Sequence, residues 1–340
     1  MRWTRCSAIV AALAVLGGGS GRAAVGGWLK GQTHAHTGNS GDSRTPPADV
    51  VRWYEAHGFD FVVLTDHNFV TKLEGRSKLL AIPGAELTQN LRTCDPPPAT
   101  PKLGCLLHVN ALFATRAGPV TMPAPASLRR LDLYQAALDV SRELGAIAQL
   151  NHPNFSRAVD APLLIALAKR GVVLLEVANQ SFDVDNAGGD GTPSTEALWD
   201  EALTAGVDVW GVATDDAHHY ADAGAARARG EQVYTGDRGW IMVRAKKTPA
   251  DIRAALVRGD FYASTGVTLA RLERRGDALE VEVEKEPVRF RFIGAGGKTL
   301  AESIGTRASF ALAGARGGYV RVVVTDGHGR MALGQPIRVR

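Results

Sequence analysis

From Trp28 onward the chain alternates two kinds of apolar pattern. Short runs rich in valine, leucine and isoleucine recur at Leu29 to His34, Phe59 to Leu64, Leu79 to Ala85, Cys105 to Phe113, Ala146 to Leu150, Val172 to Val177, Val207 to Ala213 and Gly239 to Lys246. Runs that are apolar on both sides predict strands covered on both faces. Between them lie stretches with helical spacing. Pro47 to His57 places Val50, Val51, Trp53 and Tyr54 on one face, opens on Pro46 and Pro47, and stops at Gly58. Ser127 to Gly145, Ala161 to Arg170, Thr195 to Ala205 and Thr248 to Arg258 read the same way. Strand, helix and parallel strand, repeated about seven times, is the pattern of an α/β barrel.

Beyond Gly259 the period changes to two. Leu269 to Glu284, Val288 to Ile293, Ala308 to Leu312 and Tyr319 to Thr325 alternate apolar with charged residues between Gly-rich turns, which predicts a small C-terminal antiparallel β-sandwich. The expected division is therefore a barrel over 25–260 and a β-rich unit over 261–340. At 340 residues the chain is long enough for both.

The first residues fit neither unit. Arg2 and Arg5 precede an apolar run from Ser7 to Leu16, and Gly17 to Ala24 is small, with Gly21 and Ala23 before a possible cut. The run is too short to span a bilayer, so residues 1–24 are expected to be a cleavable export signal, with a buried N-terminal helix as the alternative. Its removal takes away Arg2, Arg5 and Arg22 and no acid, lowering the formal charge from +4 to +1. The basic balance belongs partly to the signal, and no basic block remains to track a nucleic-acid backbone. An exported chain ends in the periplasm or the extracellular space. Cys94 and Cys105 bracket a Pro-rich loop, and in such a compartment one disulfide is the expected pairing, with two buried thiols as the alternative.

Candidate chemistry clusters at the ends of the apolar runs. In Gly31-Gln32-Thr33-His34-Ala35-His36, two imidazoles two residues apart point to one side of an extended backbone and can reach one metal ion. Asp42, Asp66 and His67, Glu86, His108, Asn151 and His152, and Asp215, Asp216 and His218 follow at or near later strand ends. Strand ends of a barrel converge on one mouth, so six of the nine histidines and three carboxylates would surround one cavity. His328, in Asp326-Gly327-His328-Gly329, reads as a turn residue.

The ordered series His34-Ala35-His36, Asp42, Thr65-Asp66-His67, Gly84-Ala85-Glu86, His108, Asn151-His152-Pro153 and Asp216-Ala217-His218 resembles the PHP domain, of the polymerase and histidinol phosphatase superfamily, over roughly residues 29–260. The resemblance implies a distorted seven-stranded β/α barrel with two or three divalent ions, zinc, manganese or iron. It implies His34, His36, Glu86 and Asp216 at a first ion, Asp42, His67 and His218 at a second, and Glu86, His108 and His152 at a third, with Glu86 bridging. Asp42 stands where some members carry histidine, and an oxygen donor there shifts preference from zinc toward manganese or iron. The segment Arg258 to Val267 and the β-rich tail are similar to the exported branch that includes carbaryl hydrolase-like proteins.

The expected activity is phosphoester hydrolysis by a metal-bridging hydroxide, with a small-molecule ester as substrate. Three divalent ions outweigh three carboxylates and a hydroxide and attract a phosphate dianion; two ions balance them and suit a neutral ester equally. A carboxylester or carbamate hydrolase is thus the second expectation, and a non-catalytic metal-containing binding protein the third. Glu86 and Asp216 carry the expected catalytic roles. Asp66, Asp215 and His219 are candidates for acid or ligand-orienting roles, and Arg157, after the Asn-His-Pro turn, for holding phosphate, against the alternative of a surface arginine. An amidohydrolase barrel also begins with His-X-His, but no lysine sits at a suitable strand end between His67 and His152 to replace Glu86 as the bridge.

Overall fold

The computed structural model describes residues 27–75, 77–98, 104–189, 191–315 and 317–339. The export signal expected over residues 1–24 lies outside them. In chain order the strands are β1 (Trp28–Gln32), β2 (Phe61–Leu64), β3 (Phe69–Val70), β4 (Leu80–Leu91), β5 (Cys105–Leu112), β6 (Gly118–Pro119), β7 (Ile147–Leu150), β8 (Val172–Asn179), β9 (Trp210–Thr214), β10 (Trp240–Arg244) and β11 (Phe261–Ser264). The tail adds β12 (Leu269–Arg275), β13 (Ala278–Val283), β14 (Val288–Gly294), β15 (Lys298–Gly305), β16 (Arg307–Ala311), β17 (Gly318–Thr325), β18 (Met331–Gly334) and β19 (Ile337–Val339). The α-helices are α1 (Pro47–Ala56), α2 (Arg130–Glu143), α3 (Ala161–Lys169), α4 (Thr195–Thr204), α5 (Ala223–Ala228) and α6 (Pro249–Arg258).

Each predicted helix forms where its boundary signals stand. Proline occupies the first turn of α1, α3 and α6, and Asp160, Ser194 and Thr248 cap α3, α4 and α6 by accepting from the backbone N–H three residues on. Gly259 ends α6 at φ 73°, a left-handed position that costs glycine little.

The arrangement is mixed α/β, and it departs from the expected closed barrel of parallel strands. One sheet of 14 strands runs in the order β15-β14-β17-β18-β11-β10-β1-β2-β4-β5-β7-β8-β9, with β19 beside β17. The pairs β1–β2, β2–β4, β7–β8 and β8–β9 are parallel, but β4–β5, β5–β7, β1–β10 and β10–β11 are antiparallel. The reversal at β4–β5 has a local cause: the connection, from Leu91 to Cys105, is short and pinned by a disulfide, and a direct return makes a hairpin. Parallel order would have needed a crossover. The cystine expected from the sequence, Cys94–Cys105, is formed.

No ladder joins β9 to β1, yet the two ends of this part of the sheet meet beyond the strands. Ala35 and Ala217 form a parallel bridge, His36 N donates to Ala217 O at 2.9 Å, and Asp216 N donates to His34 O at 3.2 Å. Gly239 is needed at this seam, because a Cβ there would lie 2.5 Å from Thr214 O. The amide of Gln335 acts as a piece of strand against β9, accepting from Gly211 N at 2.9 Å and donating to Gly211 O at 2.7 Å.

The tail is antiparallel throughout. The three-stranded sheet β12-β13-β16 faces β14, β17 and β18 across an apolar core that includes Val281, Phe290, Phe292, Val322 and Val324. Leu269 to Glu284, expected as one strand run, is a hairpin turning at Gly276 and Asp277, and β15, β18 and β19 carry no period-two signal strong enough to have been expected. His328 lies in a turn, where its N–H donates to Asp326. No helix among the described residues is long and apolar enough to cross a membrane.

Arg321 on β17 fastens this unit to α4. It is buried, donates to Asp200 at 2.8 and 2.7 Å and to Glu196 at 2.9 Å, and lies over the Trp199 ring at 4.9 Å. Tyr319 donates to the same carboxylate at 2.6 Å. Removing one partner leaves a charge buried without its counter-ion. Arg321→Met is therefore expected to cost about 3–5 kcal/mol in urea denaturation, whereas Arg289→Met, at an exposed pair, stays within about 0.5 kcal/mol of the parent chain.

Candidate metal centre

Glu86 is the hub. Its carboxylate, almost fully buried, has five imidazole nitrogens around it: His67 Nδ1 at 2.9 Å, His108 Nδ1 at 3.0 Å, His34 Nε2 and His152 Nε2 at 3.4 Å, and His36 Nε2 at 3.5 Å. Asp216 Oδ1 lies 3.2 Å from both His34 Nε2 and His36 Nε2. Asp42 Oδ2 lies 3.0 Å from His67 Nε2 and 3.3 Å from His218 Nε2. All nine residues expected as ligands from the sequence are thus gathered around one centre.

Eight of them fall into three overlapping groups able to hold a cation: His34, His36 and Glu86; Glu86, His108 and His152; and His36, Asp42, His67 and His218. Asp216, which the resemblance implied at the first ion, is in none of the groups but lies against His34 and His36. The third group adds His36 to the trio that the resemblance implied. Glu86 is shared by two groups, as expected of a bridge.

The position of each ligand follows from its strand. His34 and His36 lie just past β1, His67 just past β2, His152 two residues past β7 and Asp216 two past β9. Glu86 and His108 do not lie at strand ends, as the barrel pattern had suggested. β4 runs on for five residues after Glu86 because it pairs with β5, and the register Glu86↔Asn110 and Thr88↔His108 lays both side chains over the same cavity.

The far nitrogen of several rings is already committed. His34 Nδ1 donates to Glu176 Oε1 at 2.7 Å, His108 Nε2 donates to Asn90 Oδ1 at 2.9 Å, and His218 Nδ1 donates to the Asp216 carbonyl at 2.9 Å. His36 Nδ1 lies 2.8 Å from Ser40 Oγ; His67 differs, since its Nδ1 faces both Glu86, at 2.9 Å, and Thr88 Oγ1, at 2.7 Å, while its Nε2 faces Asp42. With the outer nitrogen of His34 and of His108 protonated, each turns a lone pair inward. Two such inward nitrogens meet another imidazole nitrogen, His34 Nε2 with His36 Nε2 at 3.2 Å and His108 Nδ1 with His152 Nε2 at 3.3 Å. Donor atoms on a shared cation bound at about 2.1 Å sit about 3.0–3.4 Å apart, which is the spacing seen here. The residues fit a metal.

Glu176, inside β8, is the residue sequence reading passed over. It is fully buried and accepts from His34 Nδ1, Thr214 Oγ1 (2.7 Å), Gln149 Nε2 (3.2 Å), His152 N (2.7 Å) and Asn179 Nδ2 (3.0 Å). Its signal was a lone acid in the otherwise apolar run Val172 to Val177. Asn151 Nδ2 donates to Glu86 Oε1 at 2.7 Å, and Asn179 Nδ2 to Asp216 Oδ2 at 3.2 Å.

Three residues expected at the site are elsewhere. Asp215 points to the opposite side of its strand, where it accepts from the backbone N–H groups of Asp237, Arg238 and Gly239 at 2.8–2.9 Å and from Tyr54 at 3.1 Å. The chain turns just past β9, with Asp216 at φ 52°, and the two neighbouring carboxylates part: Asp216 faces the imidazoles, while Asp215, expected in a catalytic role, anchors the Asp237 to Gly239 turn instead. Asp66 likewise accepts from Thr37 N, Thr37 Oγ1 and Thr71 Oγ1 rather than from a histidine. Arg157 does not line the cavity over the centre. That cavity, about 450 Å³, has Arg44 on its wall, together with Asn90, Leu106, Phe155, Asp183, Val184, His219, Glu231, Gln232 and Tyr234.

Burial opposes every charge here, and neighbours decide the outcome. Burial and then the adjacent His218 pull His36 down to about 3. Burial would also lower His67, but the Glu86 and Asp42 carboxylates outweigh it and lift the imidazole to about 10. Burial would raise Glu86, yet His108, His34 and His67 hold it well below the usual carboxylate range, and His34 and His36 do the same for Asp216. Without a cation, protons on imidazoles balance the buried carboxylates.

No protein-family model matches the chain, and no curated protein matches it.

Glu176→Gln keeps the shape but removes the charge behind His34, and is expected to weaken divalent-ion binding about 10–100-fold, read by competition with a chromophoric chelator. The raised His67 contributes stability to the ion-free fold that is complete below the ordinary imidazole value of 6.5 and lost as pH rises through about 10. The melting temperature of chelator-treated protein should therefore fall from pH 7 to 10, while affinity for Mn²⁺ or Zn²⁺ rises over the same interval as the competing proton leaves.

Proposed function

We propose that the protein is a metal-dependent hydrolase acting most readily on phosphoesters through a centre of two or three divalent ions. The observation that carries this reading is the Glu86 carboxylate within 3.5 Å of five imidazole nitrogens, at the floor of an open cavity. The order of the ligands along the chain supports placing it with the PHP superfamily, on a distorted form of that barrel. The proposed ions are zinc, manganese or iron, and the proposed location is outside the cytoplasm, which suits the Cys94–Cys105 cystine.

Bound divalent ions supply Lewis acidity toward an ester oxygen and make water a usable nucleophile near neutral pH. The chain's own part is to hold them and shape the space above. Glu86 and Asp216 stay ionised and present oxygens to neighbouring groups of imidazoles, while Glu176 and Asn90 fix the ring planes of His34 and His108. Leu106, Phe155 and Val184 wall one side of the cavity and limit water. Arg44, paired with Glu231 at 3.5 Å, offers a guanidinium to the cavity, the role expected of Arg157.

A second reading, hydrolysis of a carboxylester or carbamate on the same ions, is favoured by Asp183, whose carboxylate lines the cavity and repels a dianion, and by Glu231, which pairs with Arg44 at 3.5 Å and so offsets its charge. Nitrophenyl phosphate, bis-nitrophenyl phosphate and nitrophenyl acetate, offered to protein reconstituted with Mn²⁺ or Zn²⁺, separate the two. Turnover of the phosphates, abolished by chelator and by Asp216→Asn, is the expected result. Turnover of acetate alone reverses the order of the readings, and inertness toward all three in ion-loaded protein leaves a metal-containing binding protein.

A further inference from the structure

Arg130 is the first residue of α2, and it is buried without a carboxylate partner among the described residues. A cation at that place is disfavoured twice, by desolvation and by the positive end of the helix. Its guanidinium is met instead by neutral acceptors. Nε donates to Cys94 Sγ at 3.3 Å, Nη2 to Pro97 O at 2.9 Å, and Nη1 to Arg157 O at 3.3 Å and Ala158 O at 3.0 Å.

One pair of acceptors lies in a segment bonded to the strand of one metal-site histidine, and the other pair lies in the turn that follows a second. Cys94 is bonded to Cys105, three residues before His108 on β5. Arg157 and Ala158 close the turn that begins at His152. That turn holds three non-glycine residues at positive φ, His152 at 21°, Ser156 at 52° and Arg157 at 52°, a conformation that persists only where the surroundings hold it. Glu176 grips its start through His152 N at 2.7 Å, and Arg130 grips its end. Between them Phe155 packs edge-on against His152, 5.0 Å between centroids, with His108 at 6.3 Å.

We infer that Arg130 is a positioning residue for the Glu86–His108–His152 ion: one guanidinium holds the strained 152–158 turn and the cystine-pinned loop in register, so that His152 and His108 face the same carboxylate oxygen. Both imidazoles approach Glu86 Oε1, at 3.4 and 3.0 Å. The His34 and His36 side of the centre rests on β1 and the β9 seam, which Arg130 does not touch. The inference rests on the metal-centre reading and adds that this one site is conditional on the clamp. Ion number sets the charge offered to substrate, so the clamp also sets the balance between a phosphate dianion and a neutral ester.

The test is ion stoichiometry in full chain saturated with Mn²⁺ or Zn²⁺ and dialysed at micromolar metal, for the parent, Arg130→Met and Arg130→Lys, with far-ultraviolet circular dichroism as the check on folding. Arg130→Met is expected to retain one ion fewer than the parent, its weakest site loosened about 10–100-fold, and its acetate-to-phosphate turnover ratio should rise. Arg130→Lys, keeping a cation but not the forked donors, should fall between the two. Parent-level stoichiometry and affinity in both variants, or a loss of all ions together in a folded variant, overturns the clamp. If Arg130→Met does not fold, Arg130→Lys and the pair Cys94→Ala with Cys105→Ala decide in its place: full ion content in both overturns it, and one ion fewer supports it. A parent chain without ions sinks the metal-centre reading itself, an outcome separate from equality between parent and variant.

Discussion

A carboxylate taken wholly out of water must be met by positive charge, and Glu86 is such a carboxylate. What surrounds it is not arginine or lysine but imidazole, a base that is neutral at ordinary pH unless something protonates it. The pocket is therefore stable in two ways only: with protons on several rings, or with cations among them. Asp216 and Glu176 repeat the demand one layer out, since both are buried and both lie against His34. Much of the surrounding architecture serves to keep these groups from relaxing apart.

The β4–β5 hairpin contributes most. Its antiparallel register sets Glu86, Thr88, Asn90 and His108 within a few residues of one another on one surface, so that bridge, ligand and the partners of two rings come from a single supersecondary unit. The cystine at its loop end, the buried Arg130 beside it and the strained turn after His152 tie that unit to its neighbours. The opposite wall is made by the seam where the end of β1 meets the end of β9, and there the constraint is backbone hydrogen bonding through His34, His36 and Asp216 themselves. The ligands are part of the hydrogen-bonded frame and not ornaments upon it.

The C-terminal strands bear on the centre through this same frame. Gln335 supplies β9 with the hydrogen bonds that its outer edge lacks, and Arg321 ties β17 to α4, whose first residue, Thr195, donates to Val177 O beside Glu176 at 2.6 Å. The tail thus shares a sheet with the rest of the chain, through β11 and β18, and stiffens the far side of the metal pocket without entering it.

Periodicity and residue chemistry made much of this legible in advance. Helices with proline at the start, capping serine or threonine and glycine at the end are dictated locally, as are double-sided apolar strands, and they form where the sequence places them. The candidate ligands were visible for the same reason: histidines and acids that interrupt or terminate apolar runs are costly unless they meet, and nine of them meet. Strand direction, register and facing were not legible, because they are set by partners distant in the chain. Only pairing with β5 makes β4 antiparallel to it and brings Glu86 into mid-strand; only the turn past β9, with Asp216 at φ 52°, sends one carboxylate to the imidazoles and the other to Tyr54. Glu176 looked like one more strand residue, and Arg130 like one more helical arginine. Their roles come from burial, which the sequence hints at and tertiary packing alone imposes.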